Sequence, residues 1–565
     1  MIRVMKAVSL VALCALIVAV PSVWANWVQD GVALCKGTAD QLGPTIVSDG
    51  AGGAIVTWWD NRSSTNDGVY AQRLNASGVV KWTVNGVALC TATGLQSSPT
   101  IVSDGAGGAI VTWEDYRNNS NYPDIYAQRV NASGVAQWAA NGVALCIATG
   151  DQHSPTITSD HAGGAIVTWE DLRDWDSHIY AQRVNASGVV QWTANGVGLC
   201  TATGVRHSPT IASDGAGGAI VTWYDYRGGL NSDIYAQMVN ASGVVQWTAN
   251  GVALCTATAD QLGPIIISDG AGGAFVIWRD YRSGIYADIY AQRVNGSGTV
   301  QWAVDGIALC TATADQLGPT IASDAAGGAI VAWFDQRSGT YSDIYAQRVN
   351  ASGAVQWTPN GVVICTAMGY QEFPAIVSDG ASGAIVTWHD YRSGMGDIYA
   401  QKVNASGAVQ WAGNGVALCT ATGLQGSPTI ASDGAGGAIV TWTDFRSGTN
   451  SDIYAQRVDA NGFAVLTGID VPAAPVELHQ NYPNPFNPTT SVTYSIPQKC
   501  NVTLEIFDVS GKCVACLVDG HQEKGSHAVE WNGEDEKGNP LASGIYLYRL
   551  EAGGQTITRK MVLLR

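Results

Sequence analysis

A segment of about 55 residues occurs eight times along this chain and constrains its fold more than any other feature. Each copy contains Ser-Asp-Gly-Ala-Gly-Gly or a close variant, whose aspartate stands at positions 49, 104, 160, 214, 269, 324, 379 and 433. Pro-Thr-Ile-Val precedes this segment, and Ala-Ile-Val-Thr-Trp-x-Asp-x-Arg follows it. A variable patch and Asp-Ile-Tyr-Ala-Gln-Arg-Val-Asn-Ala-Ser-Gly complete the copy. Such a fixed period indicates an array of one supersecondary unit, which buries its apolar surface only against its neighbours.

Runs rich in Val, Ile, Thr, Tyr and Trp predict four β-strands in each repeat. In the second repeat they are Pro99–Ser103, Ala109–Asp115, Ile125–Val130 and Val135–Trp138, and the last run extends in one interpretation through Gly142–Cys146. Asp-Gly-Ala-Gly-Gly and Asn-Ala-Ser-Gly lie between the runs. They predict hairpin turns, because Gly, Asn and Asp tolerate a positive φ.

The predicted four-stranded meander is apolar on both faces, so neighbouring repeats must cover it on both sides. Radial packing of such sheets gives a β-propeller. We therefore predict an all-β fold, with an eight-bladed propeller over residues 26–466. The segment Trp27–Cys35 is expected to complete the blade that ends at Phe463–Leu466. The alternative is a linear β-solenoid, which usually has shorter coils and needs capping repeats.

Most residues that recur in every repeat have a structural interpretation. Two tryptophans per repeat, such as Trp113 and Trp138, are predicted to form the core between blades. The recurring Asp-x-Arg, for example Asp115 and Arg117, predicts an ion pair from blade to blade. One cysteine per repeat is predicted to be a buried free thiol, because symmetry keeps equivalent sites apart unless they line the axis. These cysteines are residues 35, 90, 146, 200, 255, 310, 365 and 419.

Two segments of the repeat change residue type at nearly every copy, and both are predicted to lie on one face of the disc, here called the variable face. The first follows Asp-x-Arg, at residues 63–68, 118–123, 174–177, 228–232, 283–287, 338–342, 393–396 and 447–451. The second precedes the proline, at residues 40–41, 95–96, 151–153, 205–207, 260–261, 315–316, 370–371 and 424–425. Aromatic side chains there suit stacking against sugar rings or peptide side chains. The candidate ligand-binding residues are Tyr116, Trp175, Tyr226, Tyr281, Tyr341, Tyr391 and Phe445.

The sequence contains no evident catalytic set, neither His-Glu-x-x-His nor Gly-x-Ser-x-Gly nor a Cys-His pair. The predicted role is therefore binding rather than catalysis, without a cofactor. The alternative is a secreted hydrolase acting on glycans on the variable face, with acids such as Glu114, Glu170 and Asp171.

A metal site on the variable face is also not expected. His153, His178 and His207 fall in neighbouring repeats, close to Asp174 and Asp176. Equivalent positions of adjacent blades are too far apart to share a metal ion at ligand distances of about 2 Å.

Residues 1–25 have the organisation of a secretory signal peptide. Arg3 and Lys6 precede an apolar run over residues 7–20, and Val23-Trp24-Ala25 resembles a cleavage site. The run is shorter than the ~20 residues that span a bilayer, so we expect no transmembrane segment after signal removal. The formal net charge of −17, with no cluster of Lys or Arg, excludes nucleic acid and anionic membranes as partners.

The repeat ends after residue 466, and Pro472-Ala-Ala-Pro475 marks a linker at residues 467–477. Residues 478–565 contain six or seven strand-like runs, which predict a small immunoglobulin-like (Ig-like) β-sandwich. Cys513 and Cys516 lie three residues apart on one predicted strand. We therefore expect their side chains on opposite faces, which disfavours a redox or zinc motif.

Several motifs of residues 478–565 carry a family resemblance. They are Asn-Tyr-Pro-Asn-Pro-Phe-Asn-Pro at 481–488, Val-Thr-Leu-Glu-Ile-Phe-Asp-Val-Ser-Gly at 502–511, Trp-Asn-Gly-Glu-Asp-Glu-Lys-Gly at 531–538, Ala-Ser-Gly-Ile-Tyr-Leu-Tyr-Arg-Leu at 542–550 and Lys-Met-Val-Leu-Leu-Arg at 560–565. Together they resemble a type A C-terminal sorting domain of the type IX secretion system. The second half is also similar to the Ig-like domain of flagellar hook-capping proteins. The repeats themselves resemble β-propeller blades of no specific functional family.

The sorting-domain resemblance implies a partner and a route. The implied partner is the type IX secretion machinery, which would recognise residues 478–565. The implied route crosses the periplasm and the outer membrane of a Gram-negative bacterium and ends in release or surface attachment. The implied sorting-signal residues are Asn481, Pro483, Pro485, Gly544, Tyr546, Lys560 and Arg565. We therefore expect a secreted or cell-surface binding or adhesion scaffold with an extracellular glycan or protein ligand.

Overall fold

The computed structural model describes residues 27–63, 66–464, 477–496, 500–522, 525–552 and 555–565. The predicted signal peptide, residues 1–25, lies outside these ranges. So does the predicted linker, residues 467–477, apart from Glu477. The chain divides into two compact units, residues 1–466 and 467–565. The described ranges are all β and contain no helix, hence no helix long and apolar enough to cross a membrane.

The described residues of the first unit form 32 strands, β1 to β32, in eight four-stranded antiparallel sheets. The first strands of the blades are Gln41–Ser48 (β2), Gln96–Ser103 (β6), Gln152–Ser159 (β10), Arg206–Ser213 (β14), Gln261–Ser268 (β18), Gln316–Ser323 (β22), Gln371–Ser378 (β26) and Gln425–Ser432 (β30). The second strands are Ala54–Ser63 (β3), Ala109–Asp115 (β7), Ala165–Asp171 (β11), Ala219–Asp225 (β15), Ala274–Asp280 (β19), Ala329–Asp335 (β23), Ala384–Asp390 (β27) and Ala438–Asp444 (β31).

The third and fourth strands complete each blade. The third strands are Asn66–Leu74 (β4), Asp124–Val130 (β8), His178–Val184 (β12), Asp233–Val239 (β16), Asp288–Val294 (β20), Asp343–Val349 (β24), Asp397–Val403 (β28) and Asp452–Val458 (β32). The fourth strands are Val87–Cys90 (β5), Val143–Cys146 (β9), Val197–Cys200 (β13), Val252–Cys255 (β17), Ile307–Cys310 (β21), Val362–Cys365 (β25), Val416–Cys419 (β29) and Val32–Cys35 (β1). First strands of neighbouring blades contact one another around the ring, so they are the innermost strands.

The ring is closed by the first and last strands of the unit. β1 pairs with β32, and it completes the eighth blade with β30, β31 and β32. Blade 8 then contacts blade 1 as other blades contact their successors: Thr429 Oγ1 donates to Pro44 O at 3.2 Å, and Lys36 N donates to Asn85 Oδ1 at 3.0 Å. The predicted eight-bladed propeller and its closure are confirmed, and an open solenoid is excluded.

The prediction of the fourth strand is wrong for the run Val135–Trp138 and confirmed for its extension through Gly142–Cys146, which contains β9. Val135–Trp138 contains only an isolated bridge between Val130 and Ala136, and the true fourth strand is β9. A side chain replaces the strand partner in this segment: Gln128 Oε1 accepts from Trp138 N at 3.0 Å, and its Nε2 donates to Ala139 O at 2.8 Å. The segment is therefore held against β8 without forming a regular ladder.

Each blade repeats one buried polar arrangement around its first tryptophan. In blade 2, Trp113 is fully buried, and its Nε1 donates to Asp115 Oδ2 at 2.7 Å. The same carboxylate pairs with Arg117 at 2.5 Å. The ion pair thus lies within one blade, and the predicted blade-to-blade pair was wrong, because Asp115 ends β7 and both the backbone N and the Nε of Arg117, two residues later, donate to its carboxylate.

The contact between blades at this position involves the cysteine instead. Arg117 Nη2 lies 3.1 Å from the sulfur of Cys90, which belongs to blade 1, and it donates to Asn141 O in its own blade at 2.7 Å. All eight propeller cysteines are buried and free, as predicted. Burial raises the pKa of the Cys90 thiol to about 12.

The second tryptophan of each blade reaches the next blade. Trp82 Nε1 donates to Ala132 O at 3.1 Å, and Arg73 Nη1 donates to the same carbonyl at 2.9 Å. Ala132 lies in the constant Asn-Ala-Ser-Gly turn of blade 2. The predicted role of both tryptophans in the core between blades is confirmed.

In the part of the second unit that the structure describes, seven strands form a two-sheet sandwich. One sheet contains Glu477–Leu478 (β33), Thr490–Ile496 (β34) and Gly525–Trp531 (β37), in that order. The other sheet has the order β36-β35-β38-β39. Its strands are Cys500–Phe507 (β35), Cys513–Gln522 (β36), Gly544–Ala552 (β38) and Gln555–Leu563 (β39). Leu504, Tyr548 and Met561 are fully buried in the core of this unit.

Candidate functional site: the variable face

Backbone hydrogen bonds place the two variable segments side by side. Tyr116 N, after β7, donates to Leu95 O, just before β6, at 2.9 Å. Gln152 N, at the start of blade 3, donates to Pro123 O in the loop of blade 2 at 2.9 Å. The same pattern recurs around the ring, so the prediction that both segments lie on one face is confirmed.

The opposite face is built from constant turns whose polar side chains are used in folding. Asp104 Oδ1 accepts from the backbone of Ala106 and Gly108, both at 2.8 Å, and its Oδ2 pairs with Arg129. Asn131 Oδ1 accepts from Ser133 N and Val135 N, both at 3.0 Å. These side chains are needed to form the turns themselves, which explains why the turn sequences of that face stay the same from blade to blade.

The seven candidate ligand-binding residues differ in exposure. Trp175 is 77% exposed, Tyr341 37% and Phe445 36%. The other four, Tyr116, Tyr226, Tyr281 and Tyr391, are half-buried. All seven lie on the variable face.

The structure pairs four of these seven residues with another ring. Trp175 meets Tyr122 at 6.2 Å between centroids, and Tyr341 meets Tyr370 at 5.2 Å. Tyr226 packs on Tyr224 at 6.0 Å, and Tyr391 packs on His389 at 4.4 Å. Tyr116, Tyr281 and Phe445 have no ring contact among the described residues.

Sequence reasoning missed several exposed apolar side chains of this face. Met368 is 80% exposed, Tyr370 46%, Phe373 58% and Met395 55%. Tyr370 and Phe373 come from Tyr-Gln-Glu-Phe, which departs from the Asp-Gln-Leu-Gly or Leu-Gln-x-Ser of other repeats. That departure is the sequence signal that could have identified Tyr370 and Phe373. The contact of Tyr370 with Tyr341, which belongs to the preceding blade, could be found only from the arrangement of the blades in the ring.

The residue x of the repeated Trp-x-Asp, on the second strand of each blade, lies at the inner end of the variable face and is Glu114 in blade 2 and Glu170 in blade 3. Glu114 pairs across the sheet with Ser97, whose hydroxyl donates to its carboxylate at 3.1 Å. Glu114 also accepts from Ser154 N of the next blade at 2.8 Å. The carboxylate of Glu114 therefore joins blades 2 and 3.

Glu170 forms the equivalent link between blades 3 and 4. It is 3% exposed, accepts from Ser208 N at 2.7 Å and contacts His207 Nδ1 at 2.9 Å. His153 Nε2 lies 3.7 Å from the same carboxylate. Asp171, by contrast, is fully buried and pairs with Arg173 at 2.6 Å. All three acids of the alternative hydrolase hypothesis thus bind protein groups.

The three histidines near this face do not converge. His178 pairs with Asp174 at 2.9 Å on the third strand of blade 3, whereas His153 and His207 flank Glu170 on innermost strands. In the described part of the chain, no group of three or more His, Cys, Asp or Glu side chains is arranged to hold a metal ion.

The implied sorting-signal residues of the second unit fall into two groups. Asn481 is 2% exposed, and its amide donates to Pro483 O at 3.1 Å and to Thr490 Oγ1 at 2.9 Å. Tyr546 is also buried and packs edge-on against Trp531 at 5.5 Å. These two side chains support the fold of the unit.

The remaining implied residues lie at or near the surface. Pro483, Pro485 and Lys560 are exposed. Gly544 begins β38, and Arg565 Nη2 donates to Gly533 O at 3.0 Å.

The expectation that Cys513 and Cys516 point to opposite faces was wrong. Two irregularities in β36 leave Cys513 opposite Phe507 and Cys516 opposite Glu505. Because Phe507 and Glu505 are two residues apart on β35, their partners share one face. Both thiols are exposed and free.

The comparisons with known proteins identify a family only for part of the second unit. The family model of the FlgD Ig-like domain matches residues 486–555, in agreement with the predicted Ig-like module. No curated protein matches the chain.

Three solved structures illustrate the structural likeness. The polysaccharide lyase Uly1 is 9% identical, with a TM-score of 0.40, over 68% of this chain and 93% of that chain. An α-L-arabinanase of Penicillium chrysogenum, complexed with arabinobiose, is 12% identical, with a TM-score of 0.35, over 65% of this chain and 93% of that chain. PorZ, a type IX secretion component of Porphyromonas gingivalis, is 12% identical, with a TM-score of 0.23, over 93% of this chain and 75% of that chain. At these scores the likenesses assign no function to this chain.

Proposed function

We propose that this protein is a secreted or cell-surface binding and adhesion scaffold that recognises an extracellular glycan or protein through the variable face. One observation carries the proposal: six of the seven exposed aromatic side chains in the described propeller lie on that face. They are Trp175, Tyr286, Tyr341, Tyr370, Phe373 and Phe445; the seventh is Phe463. Exposed aromatic rings offer large rigid contact areas for stacking.

The contrast between the two faces supports a binding role. Folding uses the polar groups of the constant turns in every blade, as Asp104 and Asn131 illustrate. The loops of the variable face differ in residue type from blade to blade. A face that is free to vary and rich in exposed aromatics is typical of a recognition surface on a rigid scaffold.

A binding screen with the purified propeller, residues 26–471, tests this proposal. We expect a glycan array or a capture experiment with extracellular proteins to give a ligand. Trp175→Ala should weaken its binding modestly, because recognition is spread over several blades. Val135→Ala, on the constant face, is the control and should leave binding unchanged. A ligand lost with Val135→Ala but retained with changes on the variable face would contradict the proposal.

We further propose that residues 478–565 direct export by the type IX secretion system. The motif resemblance supports this, and Tyr482 (82% exposed), Pro483 and Lys560 offer accessible groups to a receptor. Deleting residues 478–565 should leave the propeller folded but confined to the periplasm, because the two units are separately compact. Fractionation of a host with this pathway is the measurement. Normal surface display of the truncated chain would contradict the export role.

A further inference from the structure

Blades 6 and 7 bring three tyrosines of the variable face together. Tyr341 lies in the loop after β23, Tyr370 in the segment before β26, and Tyr391 directly after β27. The rings of Tyr341 and Tyr370 meet edge to face, at 5.2 Å and 87°. Both remain accessible, at 37% and 46% exposure. The pair therefore forms an aromatic wall that is open to solvent.

Two clefts adjoin this wall, and both are lined by Tyr341 and Tyr370. One has a volume of about 260 Å³, and its lining includes Gln336, Thr340 and Ser342. The other has a volume of about 420 Å³ and is lined on its far side by Tyr391, Arg392 and Ser393. Small-ligand sites combine aromatic walls with a few polar groups in this way.

Other blades place a different group where Tyr370 stands. In blades 1, 5 and 6 an aspartate at this position accepts from the end of the preceding loop, for example Asp260 from Ser232 N at 2.9 Å and Asp315 from Ala287 N at 2.8 Å. In blade 7 the tyrosine ring replaces this carboxylate and packs on Tyr341 instead. The aromatic wall is thus a local departure from the repeat.

The polar chemistry of the clefts is mostly neutral. Arg392 is paired with Asp390 at 2.6 Å, and Glu372 accepts from the Ser342 hydroxyl at 3.3 Å. Burial and the charge of Glu372 raise the pKa of Tyr391, so its phenol stays protonated and able to donate a hydrogen bond. Amide, hydroxyl and phenol groups beside ring faces match a sugar ring, whose C–H face stacks while its hydroxyls form hydrogen bonds. The net charge of −17 disfavours an anionic polymer.

We infer that the two clefts between blades 6 and 7 bind a neutral glycan chain of at least two sugar units, one in each cleft, with the Tyr341–Tyr370 pair between them. This inference rests on the proposed function and names the subsite and the ligand class.

The test uses the full chain and a panel of neutral polysaccharides, namely β-glucans, mannans, xylans and arabinans, with polygalacturonate as the anionic counterpart. Affinity electrophoresis compares the parent with Tyr341→Ala, Tyr370→Ala and Tyr370→Phe. Leu230→Ala is the control, because Leu230 is 97% exposed in a loop of the same face but lines neither cleft. Thermal unfolding of each variant verifies the fold.

We expect at least one neutral polysaccharide to be retained by the parent. Tyr341→Ala and Tyr370→Ala should each weaken that retention by about tenfold, the effect of ~1.4 kcal/mol of binding free energy. Tyr370→Phe keeps the ring and should change the affinity by less than about threefold, and Leu230→Ala should leave it unchanged.

Three results would overturn the inference. They are retention that survives both alanine changes, retention lost equally with Leu230→Ala, and preference for polygalacturonate over every neutral polysaccharide. Each of them leaves binding at the variable face standing. A chain that binds no glycan or protein through this face would overturn the proposed function as well.

Discussion

Gly142→Ala is expected to destabilise the propeller by about 2–5 kcal/mol, the sum of a left-handed backbone and a blocked side-chain position. Gly142 has a φ of +87°, which costs an L-residue about 1–2 kcal/mol. A Cβ there would lie 2.6 Å from Trp113 Cη2 and 2.7 Å from Ala127 O. Trp113 is fully buried and Ala127 O is strand backbone, so neither atom can move cheaply, and overpacking adds about 1–3 kcal/mol.

Gly105→Ala in the same blade is the matched control. Gly105 also has a positive φ, of +73°, but nothing lies within 4 Å of its Cβ position. Its substitution should therefore cost only the backbone part, about 1–2 kcal/mol. Urea titration of both variants, followed by tryptophan fluorescence, gives the two free energies of unfolding. Equal losses would refute the reasoning that contact with Trp113 fixes glycine at this turn.

Three further predictions concern one missing ion pair, the reactivity of the thiols and the titration of one carboxyl group. In seven blades the aspartate of the Asp-Gly-Ala-Gly-Gly turn pairs with an Arg or Lys, but blade 4 has Met238 where the others have that cation. Met238→Arg should therefore pair with Asp214 and raise the free energy of unfolding by roughly 0.5–1 kcal/mol. A urea titration that shows no gain would contradict this. Cys513 and Cys516 are exposed, so in the native state they should react with a thiol reagent far faster than the buried propeller cysteines, of which Cys90 and Cys146 have a pKa raised by burial to about 12. Peptide mapping measures the labelling of each cysteine, and equal labelling of both groups would contradict this prediction. Burial and the charge of Asp225 raise the pKa of Asp233 to about 6 from 3.8, so the folded state holds more protons between these values and stability should fall as the pH rises through this window. Asp233→Asn should flatten that fall, and an unchanged pH profile of urea midpoints would count against it.

The repeat period was sufficient to predict the propeller, its blade number and its closure. Each blade buries its two faces against its neighbours, so the number of repeats fixes the number of blades. Strand propensity placed the start of the fourth strand too early, at Val135, because Gln128 supplies side-chain hydrogen bonds at Trp138 and Ala139 where a ladder was expected. The shared face of Cys513 and Cys516 escaped prediction for a similar reason, since it depends on irregularities in β36.

The candidate site was predictable at the level of the face but not of its contacts. Variation after Asp-x-Arg and before the proline located the variable face correctly. Tyr341 was named from its own loop. Its partner Tyr370 is contributed by the next blade, and only the ring geometry brings the two within 5.2 Å. Contacts between blades depend on the angle between sheets, which residue type alone does not encode.

The central claim, recognition through the variable face of a closed ring, is tested most directly by hydrogen–deuterium exchange of the propeller with and without its array-selected ligand. The account predicts slower exchange on ligand binding in the segments after Asp-x-Arg and before the proline, above all at residues 338–342 and 370–373. The constant Asp-Gly-Ala-Gly-Gly and Asn-Ala-Ser-Gly turns should exchange at unchanged rates. Protection confined to those constant turns would contradict the account.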